Sequence, residues 1–504
     1  MSLWIKGAAL HGAALFLFAQ SAALVDKSER AQLWMAQGRF AEAAGLYEEL
    51  TRALPGNAGL LLNLGMARHM GGNDAGAIAP LEASLRIQEL SPAFLFLGSS
   101  YMHLGQPAKA FAPLRRFVAL QPDHREARQM LAEAATATGN HLEAAIQLAR
   151  FAGEEATQPA LWYSLGRAWQ AVAAGEMARL PEDSGYWLAL TADGRNKRRQ
   201  SRAGFLLYRK ALEKLPRQRG LHAAIAEIYR DSSHEDWAKV EEGYETALGT
   251  PVCKPAPTLE CHFAAARHRD VLASSLATPE ARYWKTRSAR ALAREAFDKM
   301  AALGPSMVSH RFNAESRREE GRSQEAAEAW RAAVALAPAD QSLQFELAAT
   351  LVLTKEFEVA QEIATALLTA DPEGPDFNHL QGDILLSQQQ PERAVPFLAK
   401  AVKADPKVLP ARAAYGRALI LAGRAAEAVP HLEAALPLDT DASLYFQLAR
   451  AYQAAGKTEL AKQTTAKLQA IRARQEADQR KIEDAAEITA PPPPSLPPAP
   501  RERP

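Results

Sequence analysis

The chain has 504 residues, of which 48% are hydrophobic and only 7% aromatic, and its 59 Lys and Arg almost balance its 58 Asp and Glu. This composition supplies enough apolar material for a large core and favours helices, because Ala, Leu, Glu, Arg and Gln dominate and alternating runs of Val, Ile and Thr are missing. The near-neutral charge excludes a global field that would attract nucleic acid or an anionic membrane, so any charged recognition must be local.

The first 23 residues have the layout of a signal peptide. A short start ends at Lys6, an apolar stretch runs from Gly7 to Ala19, and small residues follow around Ser21. A membrane span needs about 20 apolar residues, so the stretch favours a cleaved signal peptide at residues 1–23, with an uncleaved anchor as the alternative. The sequence therefore predicts a periplasmic or secreted protein without stable membrane insertion, or one anchored to the membrane and facing the periplasm.

From residue 24 onwards the sequence is periodic. Small residues recur at steps of 34, 34, 34 and 33 residues, at Ala314, Ala348, Gly382, Gly416 and Ala449. Two further series keep the same phase, at Pro338, Pro372 and Pro406 and at Ala326, Ala360, Ala394, Ala428 and Ala461. Two antiparallel helices approach closely only where side chains are small, and a proline after the second helix stops it. The pattern predicts a series of helical hairpins.

These spacings resemble the tetratricopeptide repeat family. The stretch Ser91 to Asp123 shows the family pattern most fully, with Leu97, Gly98, Tyr101, Gly105, Ala110 and Pro122. The resemblance extends over almost the whole chain and implies an all-α fold, a right-handed α-α superhelix of about 11–12 hairpins. Because the motif describes how repeats stack, it leaves the partner unspecified.

Two longer helices interrupt the predicted array, roughly from Pro159 to Leu180 and from Pro279 to Leu303. Trp162 and Trp284 are 122 residues apart, which indicates that a larger unit has been duplicated. Each long helix could shape a pocket at its junction with the repeats, or it could reflect spacing drift in an array that tolerates insertions.

The predicted domains follow from these features. They are a signal peptide (1–23), an N-terminal array (24–252), a cysteine-containing connection (253–278), a C-terminal array (279–472), a charged helical cap or projecting arm (473–489) and a proline-rich disordered tail (490–504). The charged helix has no apolar stripe with which to join a core, and the tail should be extended polyproline.

Two local features are candidate sites. Cys253 and Cys261 are the whole sulfhydryl inventory, and in an exported protein such a pair suggests a disulfide, with a metal site that includes His262 and His268 as the alternative. The basic run from Arg195 to Arg202 could bind phosphate, anionic lipid headgroups or an acidic partner, or it could be a solvated turn.

The resemblance also implies a concave groove lined by the first helix of each hairpin. Carried onto this chain, the N-terminal groove positions are Leu62, Met66, His69, Met70, Leu95, Met102 and His103. The C-terminal positions are Phe345, Val352, Leu353, Leu386, Arg417, Ile420, Leu421, Phe446 and Arg450. Such a surface suits amphipathic partners, and the two arginines could clamp carboxylates. The apolar members could instead pack against the next repeat.

We find no pattern that supports an enzyme. There is no glycine-rich phosphate loop, nucleophile elbow or paired-histidine metal motif, and the twelve histidines show no ligand spacing, so we predict neither a cofactor nor a metal site. The leading hypothesis is an exported scaffold that binds a peptide or protein segment in its groove and assembles an envelope or extracellular complex. The alternatives are a component of outer-membrane assembly or polysaccharide export, and a membrane-tethered adaptor.

Overall fold

A computed structural model describes residues 23–251, 253–254, 256–439, 441–485 and 487–491, with the side chains of 478–486 left out. All of the predicted signal peptide except residue 23, and the predicted tail beyond Pro491, lie outside the described residues. None of the helices in the described part of the chain is both long and apolar enough to cross a membrane.

The described residues form α-helices and one 3-10 turn, Leu436–Leu438, and contain no β-strand. The helices are α1 (23–36), α2 (Phe40–Ala53), α3 (Ala58–Met70), α4 (Asp74–Ile87), α5 (Ser91–His103), α6 (Pro107–Leu120), α7 (Arg125–Ala137), α8 (His141–Glu154), α9 (Pro159–Met177), α10 (Gly185–Lys197), α11 (Ser201–Lys214), α12 (Leu221–Asp231), α13 (Glu235–Ala247), α14 (Leu259–Ala264), α15 (His268–Ala273), α16 (Pro279–Ala302), α17 (Met307–Glu319), α18 (Ser323–Leu336), α19 (Gln341–Thr354), α20 (Phe357–Ala370), α21 (Pro375–Ser387), α22 (Pro391–Ala404), α23 (Leu409–Leu421), α24 (Ala425–Ala435), α25 (Ser443–Ala454) and α26 (Thr458–Ala485).

Most of these helices pair as antiparallel hairpins with a short turn. Eleven such pairs are present among the described residues: α1–α2, α3–α4, α5–α6, α7–α8, α10–α11, α12–α13, α17–α18, α19–α20, α21–α22, α23–α24 and α25–α26. The two predicted long helices are α9 and α16, and the cysteine-containing connection folds as the short pair α14 and α15. The predicted all-α solenoid is confirmed.

The hairpins close on residues with positive φ. Gly72 and Gly105 turn the chain between the paired helices with φ of 78° and 67°, a conformation that glycine adopts without steric cost. Lys355 and Gln389 adopt it at the same place in two C-terminal hairpins. The turn therefore depends on the hairpin geometry as well as on glycine.

Glycines inside the first helix of a hairpin allow the second helix to approach closely. A Cβ atom added at Gly98 would lie 2.5 Å from Cγ of Leu114, and one added at Gly382 would lie 2.4 Å from Cγ of Leu398. Both leucines are fully buried. The small-residue period thus marks helix–helix contacts, as the sequence indicates.

The described residues divide into two compact units, with the boundary between Val172 and Ala173. The core of the first unit contains Tyr47, Leu81 and Phe117, and that of the second contains Tyr229 and Trp330, all at most 2% exposed. The domain boundaries predicted from sequence differ from this division and stay predictions.

The C-terminal end of the described chain packs against α12 of the second unit. Helix α26 is continuous over 28 residues and includes most of the predicted charged cap. Beyond it, Ile488 packs against the cluster that contains Tyr229, whose hydroxyl donates a hydrogen bond of 2.6 Å to the carbonyl oxygen of Thr489. The chain after α26 therefore contacts α12, which no sequence pattern indicated.

Candidate binding sites

The predicted N-terminal groove residues lie on α3 and α5, in the first unit. Leu62 is buried in the core of this unit, and Met66, Leu95 and Met102 are half-buried and pack against the same core. Met70 keeps about half of its surface exposed, at 46%, and the side chain of His103 is 59% exposed. Leu62 therefore packs against neighbouring helices instead of lining an open groove.

The two histidines of this predicted groove form a polar cluster with Asp74, the first residue of α4. Nδ1 of His69 lies 2.6 Å from Oδ1 of Asp74, and Nδ1 of His103 lies 3.1 Å from Oδ2. The two imidazole rings are stacked, with centroids 5.2 Å apart. Ser100 adds its hydroxyl at 3.0 Å from Nδ1 of His69. Burial alone would raise the pKa of Asp74, but the hydrogen bonds from His69, Ser100 and His103 outweigh it and lower that pKa.

No ligand spacing was predicted for any histidine, yet His69 and His103 lie together in the structure. They are 34 residues apart in the sequence, which is one repeat, and stacking of repeats places equivalent positions side by side. The repeat length itself was the pattern that could have predicted this contact.

The predicted C-terminal groove residues are divided between core and surface. Leu386 is buried in a core cluster, and Phe345, Val352 and Ile420 are half-buried against the cores of their repeats. In contrast, Leu353, Leu421 and Phe446 are 58%, 49% and 44% exposed. These three leave apolar surface available on the first helices of their hairpins.

The predicted arginine clamp has partners within the chain. A guanidinium nitrogen of Arg417 lies 3.6 Å from a carboxylate oxygen of Asp383. The guanidinium of Arg450 lies 5.9 Å from the ring centroid of Phe446, and that of Arg472 lies 5.8 Å from the same ring. A carboxylate arriving at Arg417 would have to compete with Asp383.

The second unit also contains a cavity of 870 Å³ between α10, α12 and α16. Its charged lining residues are Lys197, Arg199, Arg287, Arg290 and Arg294 on the cationic side and Asp193, Glu227 and Asp231 on the acidic side. Phe263 of α14 and the small Ala223, Ala224 and Ala291 supply apolar lining. Two members of the predicted basic run, Lys197 and Arg199, thus meet an arginine row that the sequence analysis did not single out.

The positive charges of this cavity are only partly compensated. Arg290 lies 3.4 Å from Asp193, yet burial chiefly lowers its pKa. Burial, followed by the neighbouring Arg290 and Arg294, likewise lowers the pKa of Lys197. Among the described residues, Lys197, Arg199 and Arg294 have no carboxylate partner at salt-bridge distance. A bound anion would relieve this repulsion.

Aromatic packing holds one wall of the cavity in place. The guanidinium of Arg287 lies 4.9 Å from the ring centroid of Phe263 and 5.5 Å from those of Tyr283 and Trp284. Such stacking fixes a guanidinium while leaving its N–H donors available. The basic stripe Arg287, Arg290 and Arg294, which lies at the spacing of one helix face, could have indicated this wall.

A disulfide joins Cys253 to Cys261, with Cα atoms 5.6 Å apart. Cys261 is buried in α14, where the Thr258 hydroxyl accepts a hydrogen bond from its backbone N–H. Phe263 follows two residues later, so the cross-link anchors the short helix that contributes an aromatic ring to the cavity.

Comparison with known proteins identifies the repeats. Two family models described as tetratricopeptide repeat match this chain, one at residues 29–92, 96–160, 313–375 and 354–408 and the other at 385–448. Together they match more than half of the 504 residues.

One curated relative is the cellulose synthase 2 operon protein C of Komagataeibacter xylinus, 32% identical over 165 residues. The match covers 31% of this chain and only 12% of that protein.

Among solved structures, similar chains include a thermophilic tetratricopeptide repeat protein of Thermus thermophilus, with 18% identity and a TM-score of 0.30, covering 36% of this chain and 98% of that one. MamA of Desulfovibrio magneticus RS-1 has 17% identity and a TM-score of 0.30, covering 34% and 98%. YrrB, described as having an unusual peptide-binding site, has 21% identity and a TM-score of 0.28, covering 35% and 91%.

Proposed function

Because this chain belongs to the tetratricopeptide repeat family, whose repeats act as scaffolds for protein interactions, we propose that it is an exported scaffold that holds an acidic segment of a partner protein. The cationic cavity between α10, α12 and α16 is the binding site. The observation that carries the proposal is the surplus of five cationic over three acidic side chains in its lining.

The chemistry of the lining favours carboxylates. Arginine presents a fork of N–H donors that matches a carboxylate, and hydrogen bonds to charged groups contribute about 1.5–3 kcal/mol each. The cavity also offers the face of Phe263 and several alanines, which can cover the aliphatic stem of a Glu side chain. A volume of 870 Å³ lies in the range of about 300–1,000 Å³ typical of ligand pockets. It therefore accommodates a few side chains of a segment and not a whole folded domain.

The exposed apolar residues of the same unit extend the surface that a partner could use. Leu353, Leu421 and Phe446 are each at least 44% exposed, and an amphipathic segment could bury them. We propose that the cavity selects for negative charge and that these three residues offer apolar contact to a partner.

Fluorescence anisotropy with a labelled peptide that alternates Glu and Leu tests this proposal. We expect the full chain to bind it, and to bind a Gln-for-Glu version of the peptide at least about tenfold more weakly. Replacement of Lys197 and Arg294 by Gln should weaken binding of the acidic peptide by about tenfold or more. Equal binding of both peptides would contradict the proposal.

A matched control separates the cavity from general charge. Lys210 on α11 and Lys403 on α22 are exposed and do not line the cavity, and their replacement by Gln removes the same net charge. We expect this pair of substitutions to leave affinity almost unchanged. An equal loss in both double variants would mean that the peptide responds only to the charge of the whole molecule.

The exported location is part of the proposal and has its own test. Mass spectrometry of the mature protein should find an N-terminus near residues 21–23, because the preceding stretch has the layout of a cleaved signal peptide. Retention of Met1 would instead favour the membrane-tethered adaptor.

A second candidate function is a component of outer-membrane assembly or polysaccharide export, favoured by the similarity to the cellulose synthase 2 operon protein C. Deletion of the gene in its native host, followed by measurement of exported polysaccharide, tests it. A loss of export that the intact gene restores would support this function, whereas unchanged export would exclude it.

A further inference from the structure

We propose that His69, Asp74 and His103 form a binding site for a divalent transition-metal ion of the zinc type. The site lies in the first unit and is independent of the cationic cavity. Its ligand atoms, two imidazole nitrogens and a carboxylate oxygen, all lie within 4.8 Å of one another.

The repeat architecture assembles this site. His69 is the next-to-last residue of α3, and His103, one repeat later, is the last residue of α5. Stacking of the two hairpins brings these equivalent positions together, and the intervening turn delivers Asp74 at the start of α4. Three residues from three helices therefore converge without any local sequence motif.

The observed distances are close to those that a metal ion requires. Zinc binds imidazole nitrogen and carboxylate oxygen at about 2.0–2.2 Å, so two donors on one tetrahedral ion are about 3.4 Å apart. The two observed nitrogen–oxygen distances are 2.6 and 3.1 Å. An ion would thus need donor shifts of less than about 1 Å, which the 59% exposed side chain of His103 can provide.

The other histidine is held by its surroundings. The side chain of His69 is only 12% exposed and packs edge-on against Phe96, with ring centroids 5.4 Å apart. Ser99 places its hydroxyl 3.4 Å from Nε2, and Ser100 places its own 3.0 Å from Nδ1. The Ser99 hydroxyl at Nε2 is an outer contact of the kind that orients metal-binding imidazoles, whereas the Ser100 hydroxyl faces the same Nδ1 as Asp74 and would give way to the ion.

The donor chemistry selects the class of ion. An ionised carboxylate only accepts hydrogen bonds, so in the metal-free form each Nδ1 that faces Asp74 carries a hydrogen. On binding a cation, each neutral imidazole would carry its hydrogen on Nε2 instead, which frees the Nδ1 lone pair, and the ion would bind both Nδ1 atoms and one oxygen of Asp74. Two imidazoles with one carboxylate suit zinc, cobalt, nickel or copper, whereas magnesium and calcium prefer oxygen ligands. Three protein donors leave a fourth tetrahedral position open.

Isothermal titration with zinc chloride tests the site. The full chain is used without a histidine tag, after treatment with a chelator and dialysis. We expect one zinc ion per chain, and a loss of affinity on the order of tenfold or more in both His103→Ala and Asp74→Asn. Absence of zinc binding to the unaltered chain would overturn the proposal.

A histidine outside the cluster provides the control. His141 is the first residue of α8 and is not a member of the ligand group, so His141→Ala should bind zinc like the unaltered chain. Equal affinity of His103→Ala and His141→Ala would overturn the proposal, because zinc would then bind elsewhere. Circular dichroism checks that both variants are folded, and the exposed position of His103 makes its replacement compatible with the fold.

The visible absorption of bound cobalt reports metal ligands directly, and it would not change if His103 only stabilised the fold. Bound in place of zinc, cobalt should give visible absorption bands typical of tetrahedral or five-coordinate nitrogen and oxygen ligands. We expect His103→Ala to lose these bands while remaining folded, and bands that persist unchanged in that variant would contradict the assignment.

Discussion

The close contact between Gly382 and Leu398 allows a quantitative test of how the hairpins pack. A Cβ atom at position 382 would lie 2.4, 2.5 and 3.1 Å from Cγ, Cδ2 and Cδ1 of Leu398. Overpacking of a well-filled core costs about 1–3 kcal/mol, and the helix propensity of Ala over Gly returns about 1 kcal/mol. We therefore expect Gly382→Ala to destabilise this hairpin by up to about 2 kcal/mol.

Leu398→Ala, on the other side of this contact, creates a cavity. Leu398 is fully buried, and Leu→Ala at such positions costs about 2–5 kcal/mol. In the double variant the added methyl group meets no leucine and partly fills the space left behind. The preceding repeat already has this pair, since Ala348 and Ala364 occupy the corresponding positions and are both fully buried. The double variant should consequently be more stable than the sum of the single effects predicts, by about 1–3 kcal/mol.

Hydrogen exchange measured by mass spectrometry is the appropriate assay. Repeat arrays can unfold locally, so one global transition does not report a single hairpin. Opening free energies for peptides from α21 and α22 would be compared among the unaltered chain, the two single variants and the double variant. Additive effects within about 0.5 kcal/mol would refute the explanation that volume exchange governs this contact.

Three further predictions concern individual contacts. Burial, aided by the hydrogen bond to Glu82, raises the pKa of Tyr101 to about 12. The stabilisation by the Tyr101 hydroxyl should therefore be complete below pH 10 and lost as pH rises through about 12. Denaturation of the unaltered chain and of Tyr101→Phe at neutral and alkaline pH would measure this loss. The pKa of Asp74 lies below its ordinary value of 3.8. The unaltered chain should therefore be more stable than Asp74→Asn above pH 3.8, and this difference should disappear as the pH falls through the lowered pKa of Asp74. Acid unfolding of both proteins measures it. Reduction of the Cys253–Cys261 bond should destabilise its loop by about 2–3 kcal/mol, measured as faster hydrogen exchange in α14; unchanged exchange would contradict this.

The periodic part of the fold was predictable because the repeat itself dictates it. Small residues at steps of one repeat mark where paired helices touch, and Gly382 lies against Leu398 for that reason. Both long helices were expected, and α16 ends within one residue of the predicted position. These features depend on local periodicity, which a sequence displays directly.

The sites were less predictable because they depend on contacts between distant positions. Arg290 and Asp193 are 97 residues apart in the sequence, and only the folded chain places both beside one cavity. Two groove positions, Leu62 and Leu386, follow the packing alternative and are buried, because one step around a helix separates an open face from the core. The basic run was visible in the sequence, whereas the enclosure that gives Lys197 its altered pKa was not.

A footprint by hydrogen exchange tests whether the cationic cavity binds an acidic segment. The full chain would be compared with and without the Glu–Leu peptide at saturating concentration. We expect slower exchange in α10, α12 and α16, the helices that line the cationic cavity. Protection confined to other helices, with none in these three, would contradict it.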